Sequence, residues 1–317
     1  MLHLCNISKS YGSRRVLHEV SLKVAPGELY GYVGGNGAGK TTSMRIMLGI
    51  AEADSGTVTL NGDPIDDRVR SKIGYMPEER GLYPKMTLID QLTYFGVIHG
   101  VTARSARDAA AYWLHRLGLS ERSGSLLEAL SLGNQQRVQL AAALIHEPTA
   151  LILDEPFSGL DPSAVEVIVD ILREEADRGI PVVFSSHQLE LVEKLCDRIG
   201  ILRDGRIIAE GTYEELGSAV DRQYIIETPV ARAIWLPQLR QALGEQAEYL
   251  SISAKQGTRT RLKVPDHFDE QIIVDVIREN GDLTAFYRWM PSLTEIYATA
   301  MSGTVDLPTI KSTSHSE

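Results

Sequence analysis

Apolar positions fall into short runs over the first third of the chain, take helical spacing from residue 87 to 145, and then alternate between the two patterns. Leu2–Ile7 and Val16–Val24 are apolar-rich runs flanking the polar segment Ser8–Arg15, which predicts two strands with a polar connection. Pro26 and Gly27 mark a turn, and Leu29–Val33 is a short continuous apolar run, the mark of a buried strand. Thr41–Ile50 has helical spacing, and Gly56–Leu60 and Lys72–Met76 predict further strands.

From Thr87 the period lengthens. Thr87 is placed to cap a helix that runs to His99 and stops at Gly100. A second helix is expected over Ala103–Leu117, stopped by Gly118, and a third over Gln135–Ile145, ended by Pro148. No strand is expected among them, so residues 84–147 read as a helical insertion. Strands and helices then alternate over Ala150–Leu153, Ser163–Arg178, Val182–Ser185, Leu189–Cys196 and Ile199–Leu202. Such alternation implies right-handed crossovers and a mostly parallel sheet. Around Gly217–Asp221 the character changes. Strands are expected at Gln223–Thr228, Glu248–Ser253, Thr258–Val264 and Leu283–Trp289, with helices at Ala231–Leu243 and His267–Asn280. The order β-α-β-β-α-β is that of a small ferredoxin-like module. A last helix, Leu293–Met301, follows, and the polar residues 303–317 are expected to be disordered.

A length of 317 residues favours two domains, each with enough chain for its own core. The 42 acidic residues against 32 basic ones argue against bulk nucleic-acid binding. Cys5 and Cys196 are far apart and form neither a disulfide framework nor a metal spacing, which fits a reducing compartment. The first residues lack an apolar core followed by a small-residue cleavage site, and no apolar run is long enough for a transmembrane helix. The chain is therefore not expected to span a membrane itself, which leaves it free to dock on a protein that does.

Gly34–Thr41 fits G-x-x-x-x-G-K-[ST] between a predicted strand and a predicted helix. Glycines let the backbone of Asn36, Gly37, Ala38 and Gly39 wrap closely around phosphates, with Thr42 in the same first helical turn. Lys40 would reach the outer phosphates and Thr41 would offer its hydroxyl to Mg²⁺. Ala150–Glu155 is an apolar strand ending in two acids. Asp154 at its carboxyl edge suits the water shell of Mg²⁺. Glu155 points elsewhere, towards a water that attacks the γ-phosphate. A helix-capping acid pair is the competing reading.

The order P-loop, Leu130-Ser131-Leu132-Gly133-Asn134, Leu151–Glu155, Ser158-Gly159-Leu160-Asp161 and Ser185-Ser186-His187 resembles the ATP-binding cassette (ABC) transporter ATPases over residues 1–217. The resemblance implies an α/β P-loop core of ABC type with an antiparallel β subdomain and the helical insertion. In such ATPases two copies pair head to tail. Ser131, Gly133 and Asn134 should then bind the γ-phosphate of a partner's ATP, whereas the plain alternative is an N-cap by Ser131. Tyr11 matches the residue that stacks on adenine, with Val16 nearby; a strand tyrosine in the core is the alternative. His187 matches the switch histidine that positions the attacking water; a surface histidine is the alternative. Ser158–Asp161 matches the loop that crosses the dimer interface. Glu78 stands where the family has Gln: a carboxylate still ligates Mg²⁺ but donates no hydrogen bond unless protonated. Leu132 and Asn134 replace Gly and Gln of the usual signature, and Gly35 replaces a common Pro.

Pro77–Thr87 with Leu130–Gln136 resembles the ATPases of bacterial ABC-2-type exporters, among them sodium- and drug-efflux systems, which carry a C-terminal domain. Met290–Tyr297 is similar to the end of those chains. The resemblance implies ATP and Mg²⁺ as cofactors, Glu155 as the base, and hydrolysis to ADP and phosphate. It implies as partners a second ATPase subunit, an identical copy, and an ABC-2-type transmembrane permease at the cytoplasmic face of the membrane, with no nucleic acid. The expected organisation is an ATP-binding domain over 1–217, an accessory domain over 222–302 and a tail over 303–317. The other class is a soluble ABC ATPase acting on ribosomes or DNA. Those usually carry two cassettes or long coiled coils, whereas this chain has one P-loop, one signature and no sustained heptads. Asp266, His267 and Asp269 lie close together and read as a helix cap rather than a metal site.

Overall fold

The computed structural model describes residues 1–79, 81–220, 222–244, 251–256 (backbone only), 258–264, 269–303 and 307–309. The chain divides into two compact units: Met1–Tyr213 with Pro308 and Thr309, and Glu214–Leu307.

The first unit opens with the hairpin β1 (Leu2–Tyr11) and β2 (Arg14–Val24), paired out to Tyr11↔Arg14. The polar segment Ser8–Arg15 is thus strand rather than connection, and the turn is only Gly12-Ser13. Register shifts between Leu4 and Ile7, Ile7 and Lys9, and Lys9 and Ser10 break the two-residue alternation without ending the ladder. β3 (Leu29–Gly34), α1 (Lys40–Met47), β4 (Ser55–Leu60), β5 (Asp63–Pro64), α2 (Asp67–Arg70) and β6 (Ile73–Met76) follow. One antiparallel sheet has the order β2-β1-β4-β5.

The insertion comprises α3 (Leu88–Ile98), α4 (Ala103–Arg116) and α5 (Leu132–Leu144), capped by the side chains of Thr87, Thr102 and Ser131. α3 and α4 lie so close that a Cβ on Gly96 would come within 2.7 Å of the Ala106 Cβ. α5 begins at Leu132 rather than Gln135. Its first turn, Leu132-Gly133-Asn134, buries no side chain, so apolar spacing reveals the helix only from its second turn.

β7 (Ala150–Asp154), α6 (Pro162–Asp177), β8 (Val182–Ser185), α7 (Leu189–Leu195), β9 (Arg198–Arg203), β10 (Arg206–Gly211) and α8 (Tyr213–Ala219) complete the series. The second sheet has the order β10-β9-β3-β8-β7-β6, parallel except for β10. β10 is joined by Asp204-Gly205, both at positive φ (48° and 72°), the Asp-Gly turn of a two-residue hairpin. That signal stood in the sequence, and the strand after it was not anticipated. One core takes side chains from both sheets and α1, among them Leu4, Leu22, Tyr32, Met44 and Ile152.

The second unit holds β11 (Gln223–Glu227), α9 (Arg232–Leu243), β12 (Ser251–Gln256), β13 (Arg259–Lys263), α10 (Glu270–Asn280), β14 (Ala285–Trp289) and α11 (Leu293–Ser302). Its antiparallel sheet has the order β12-β13-β11-β14, the split-βαβ arrangement. Tyr224, Ile226, Trp235, Leu239, Leu262 and Ile277 build its own core. The units divide between Tyr213 and Glu214, in the first turn of α8 and four residues before Gly217, so most of α8 belongs to the second unit. Residues 248–250 of one expected strand, and Asp266 and His267, lie outside the described residues; Asp269 caps α10 by accepting from Gln271 N. The expectation of one disordered tail is corrected at Pro308, whose carbonyl accepts from Glu210 N at 2.7 Å. Residues 304–306 and 310–317 lie outside the described ones. No described helix is long and apolar enough to cross a membrane.

Candidate nucleotide site

Buried β3 delivers the chain into a glycine loop, and α1 starts at its far end. Gly37 and Gly39 stand at φ 77° and 110°, where a side chain is strained. A Cβ on Gly39 would also meet Leu17 Cδ2 at 2.6 Å. Conformation therefore requires glycine at Gly39, and any side chain there would also have to displace the end of Leu17. Lys40 folds back so that Nζ donates to the carbonyls of Gly34 (2.7 Å) and Gly35 (3.4 Å), which holds its ammonium over the loop.

β7 carries Asp154 into this region at 1% exposure. A buried carboxylate needs partners. Thr41 Oγ1 donates to Asp154 Oδ2 at 2.9 Å, and Ser185 Oγ donates to Oδ1 at 2.5 Å. Its charge is felt locally: burial first, and then Asp154, push the Tyr75 phenol up from its usual range. Glu155 follows in left-handed backbone, φ 52°. Its N–H donates to Ser185 Oγ (2.9 Å), its carbonyl accepts from Gln136 Nε2 (2.9 Å), and its carboxylate lies 2.9 Å from His187 Nδ1. His187, two residues beyond the end of β8, is mostly exposed, whereas the Glu155 side chain is 12% exposed and Asp154 is sealed.

The glycine loop, Lys40, Thr41, Asp154 and Glu155 line one cavity of about 420 Å³ with Tyr11, Arg14, Val16, Asn36, Ala38, Thr42 and Glu78. The expected nucleotide and metal residues of the P-loop, β7 and the β1–β2 hairpin thus come together, and His187 joins through Glu155. Ser131, Gly133 and Asn134 do not. They line a separate cavity of about 280 Å³ with Arg137, Gly159, Leu160 and Asp161, sharing no residue with the first. There Ser131 Oγ accepts from Asn134 N, and a Cβ on Gly133 would come within 3.0 Å of the Gly159 carbonyl. Sequence reasoning missed Arg14, Gln136 and Ser185 as part of the site. Ser185 stood inside a quoted motif, but its bond to Asp154 needs the β7–β8 pairing to be seen.

A family model described as ABC transporter matches residues 17–158. The ABC transporter ATP-binding protein YhaQ of Bacillus subtilis is 39% identical over 68% of this chain and 72% of its own length. The chain is an ATP-binding subunit of the ABC transporter family. The linearmycin resistance ATP-binding protein LnrL of Bacillus subtilis is 38% identical to this ATPase subunit, over 73% of this chain and 75% of that one. Among solved structures, the dimeric, post-hydrolysis state of the ATP-binding cassette MJ0796 with ADP and Pi aligns at TM-score 0.62 and 26% identity, covering 67% of this chain and 98% of that one. The ABC ATPase subunit binds ATP with Mg²⁺ and hydrolyses it. Its residues fit the metal: Thr41 Oγ1 and Asp154 Oδ2 are hard oxygens 2.9 Å apart, in a cavity that Glu78 also lines. Mg²⁺ there would screen phosphate charge and polarise the γ-phosphoryl group.

Proposed function

We propose that this subunit drives export by a separate membrane-embedded permease at the cytoplasmic face, working as a head-to-tail pair of identical chains. The observation that carries this reading is the division of labour between the two cavities. The P-loop cavity holds the cation, the buried carboxylate and the base. The signature cavity offers a capped helix start with an anion-seeking N-terminus, and its one acid, Asp161, is exposed and lies 3.9 Å from Arg137 rather than being buried beside a hydroxyl. Each is half of a site, and two copies turned head to tail complete both.

In that arrangement Lys40 and the loop N–H groups hold the phosphates, and Tyr11 stacks on the base with Val16 beside it. Glu155 takes the proton of the attacking water while His187, 2.9 Å from its carboxylate, orients it. Ser131, Gly133 and Asn134 close over the γ-phosphate of the partner's nucleotide. Export, with a drug, antibiotic or sodium ion as cargo, is supported by likeness to the linearmycin resistance subunit. The half-exposed aromatic group Tyr83, Tyr94 and Phe95, next to the Glu78 loop, is the surface offered to the permease.

The test is the solution mass of the Glu155→Gln chain with and without Mg-ATP. Doubling with ATP, abolished by adding Ser131→Arg, supports the pairing. A chain that stays monomeric alone and also when co-purified with its permease refutes it.

A further inference from the structure

α5 carries two buried amides on one face, a turn apart. Gln136 and Gln139 are 4% and 3% exposed. Neither is needed for helix formation, and burying an amide is costly unless it is bonded. Gln136 Nε2 donates to the carbonyl of Glu155 at 2.9 Å. Gln139 Nε2 makes a short hydrogen bond to the carbonyl of Pro77, the residue before Glu78. The helix that begins with the signature thus holds both the base and the Glu78 loop of its own site.

Glu155 has particular need of such a hold. A non-glycine residue at φ 52° persists only where its surroundings over-determine it. Both backbone polar groups of Glu155 are engaged by side chains from other elements: its N–H by Ser185 of β8, and its carbonyl by Gln136 of α5 at 2.9 Å, with a longer 3.2 Å bond from the N–H of Ser158 in its own loop. Turning that peptide would swing the carboxylate away from His187. Ser185 is fixed by Asp154, so Gln136 is the clamp that can move, because α5 belongs to the insertion.

We propose that Gln136 and Gln139 are positioning residues that make α5 a relay. Seating of its N-terminus on a partner's nucleotide is transmitted to Glu155 and Glu78 of its own site. This rests on the head-to-tail pairing proposed above. The span is short: from Ser131 to Gln139 is about 12 Å of a single helix at 1.5 Å per residue. The first amide lies just over one turn from the signature serine. Hydrolysis at each site then depends on closure over both.

The test uses the full chain with Gln136→Met, which keeps the volume and removes the donor, Gln136→Glu, and Gln139→Met. Three readouts are compared: kcat and KM for ATP, equilibrium binding of a fluorescent ATP analogue, and hydrogen exchange of peptides over residues 154–158 and 75–79. Gln136→Met is expected to lower kcat on the order of tenfold with analogue affinity unchanged, the loss of one buried hydrogen bond. Exchange over 154–158 should rise, and the protection brought by Mg-ATP there should shrink. Gln139→Met should raise exchange over 75–79 instead. Gln136→Glu donates only when protonated, so its turnover should fall as pH rises where the parent and Gln136→Met show no such limb.

Parent-like turnover and exchange in Gln136→Met would overturn the relay. So would a fall in kcat accompanied by an equal fall in affinity and general loss of protection, which marks a merely structural role. If Glu155→Gln stays monomeric with ATP both alone and when co-purified with its permease, the head-to-tail reading falls, and the relay with it. If it dimerises and the Gln136→Met results are negative, only the relay falls.

Discussion

The chain presents two helix starts to phosphate, and they are built on different plans. α1 begins behind a glycine loop whose conformation forbids side chains, with a lysine folded over it and a sealed carboxylate within reach of its second residue. α5 begins with a serine cap and a leucine at 60% exposure, and the nearest charged pair, Arg137 and Asp161, is 3.9 Å apart and faces its own loop. The first region can grip and react; the second can only cover. A protein needs the second plan only if something outside the first site must close on it, and the two cavities share no residue.

The largest effect that separates the regions is on the base. Glu155→Gln should reduce ATP turnover by about 10²- to 10⁴-fold, the usual share of a positioned general base, while ATP binding is kept. Turnover assays beside nucleotide titration read both. Equal loss in binding would return Glu155 to the role of a structural acid after a strand. Next comes the cover. Ser131→Arg should leave ATP binding to the monomer intact and remove ATP-dependent dimerisation in the Glu155→Gln background, seen by light scattering. If Ser131→Arg weakened nucleotide binding by the isolated chain, the two cavities would not be independent.

How much of this contrast stood in the sequence depends on how locally each group is specified. The P-loop and the Asp154–Glu155 pair are contiguous strings whose chemistry needs those residues at that spacing, and both were legible. Ser131 was legible as a cap, although its helix starts three residues before the apolar pattern does. The clamps were not. Ser185, Gln136 and Gln139 are common residue types, and each finds its partner only through sheet pairing or helix packing. The same holds for the fold. β3 and β7 announce themselves by burial on both faces, whereas the outer half of the β1–β2 hairpin is hidden by its register shifts.

Acid should act on the signature helix and spare the P-loop. His146 follows the end of α5 and stacks on His99 of the α3 cap, ring centroids 3.9 Å apart. Burial, and then the neighbouring His99 ring, push its pKa down to about 4 from 6.5. The folded state therefore favours the neutral ring. The stability this lends is present above the ordinary histidine range and is lost as pH falls from about 6.5 towards 4. By pH 5 the loss should be about 2 kcal/mol. Urea melts of the parent and of His146→Phe, compared at pH 8 and pH 5, should show a smaller acid loss in the variant. Equal losses would place the acid sensitivity elsewhere.

The smallest effect concerns the hairpin edge of the P-loop cavity. Tyr11 sits at the end of β1, 52% exposed, with the Lys9 ammonium 5.4 Å from its ring centroid and Arg14 and Val16 lining the same cavity. A tyrosine so exposed contributes little to the core, which argues against a packing role. Base stacking on an aromatic ring is worth about 1–3 kcal/mol by alanine substitution, and a half-exposed ring belongs at the low end. Tyr11→Ala should weaken ATP binding about tenfold. Tyr11→Phe and Tyr11→Trp should bind as the parent does, because stacking needs the π face and not the hydroxyl. Turnover at saturating ATP should not change, since the base is held equally before and during phosphoryl transfer. Unchanged binding in Tyr11→Ala would detach the hairpin from recognition. The P-loop cavity would then differ from the signature cavity only in its handling of phosphate.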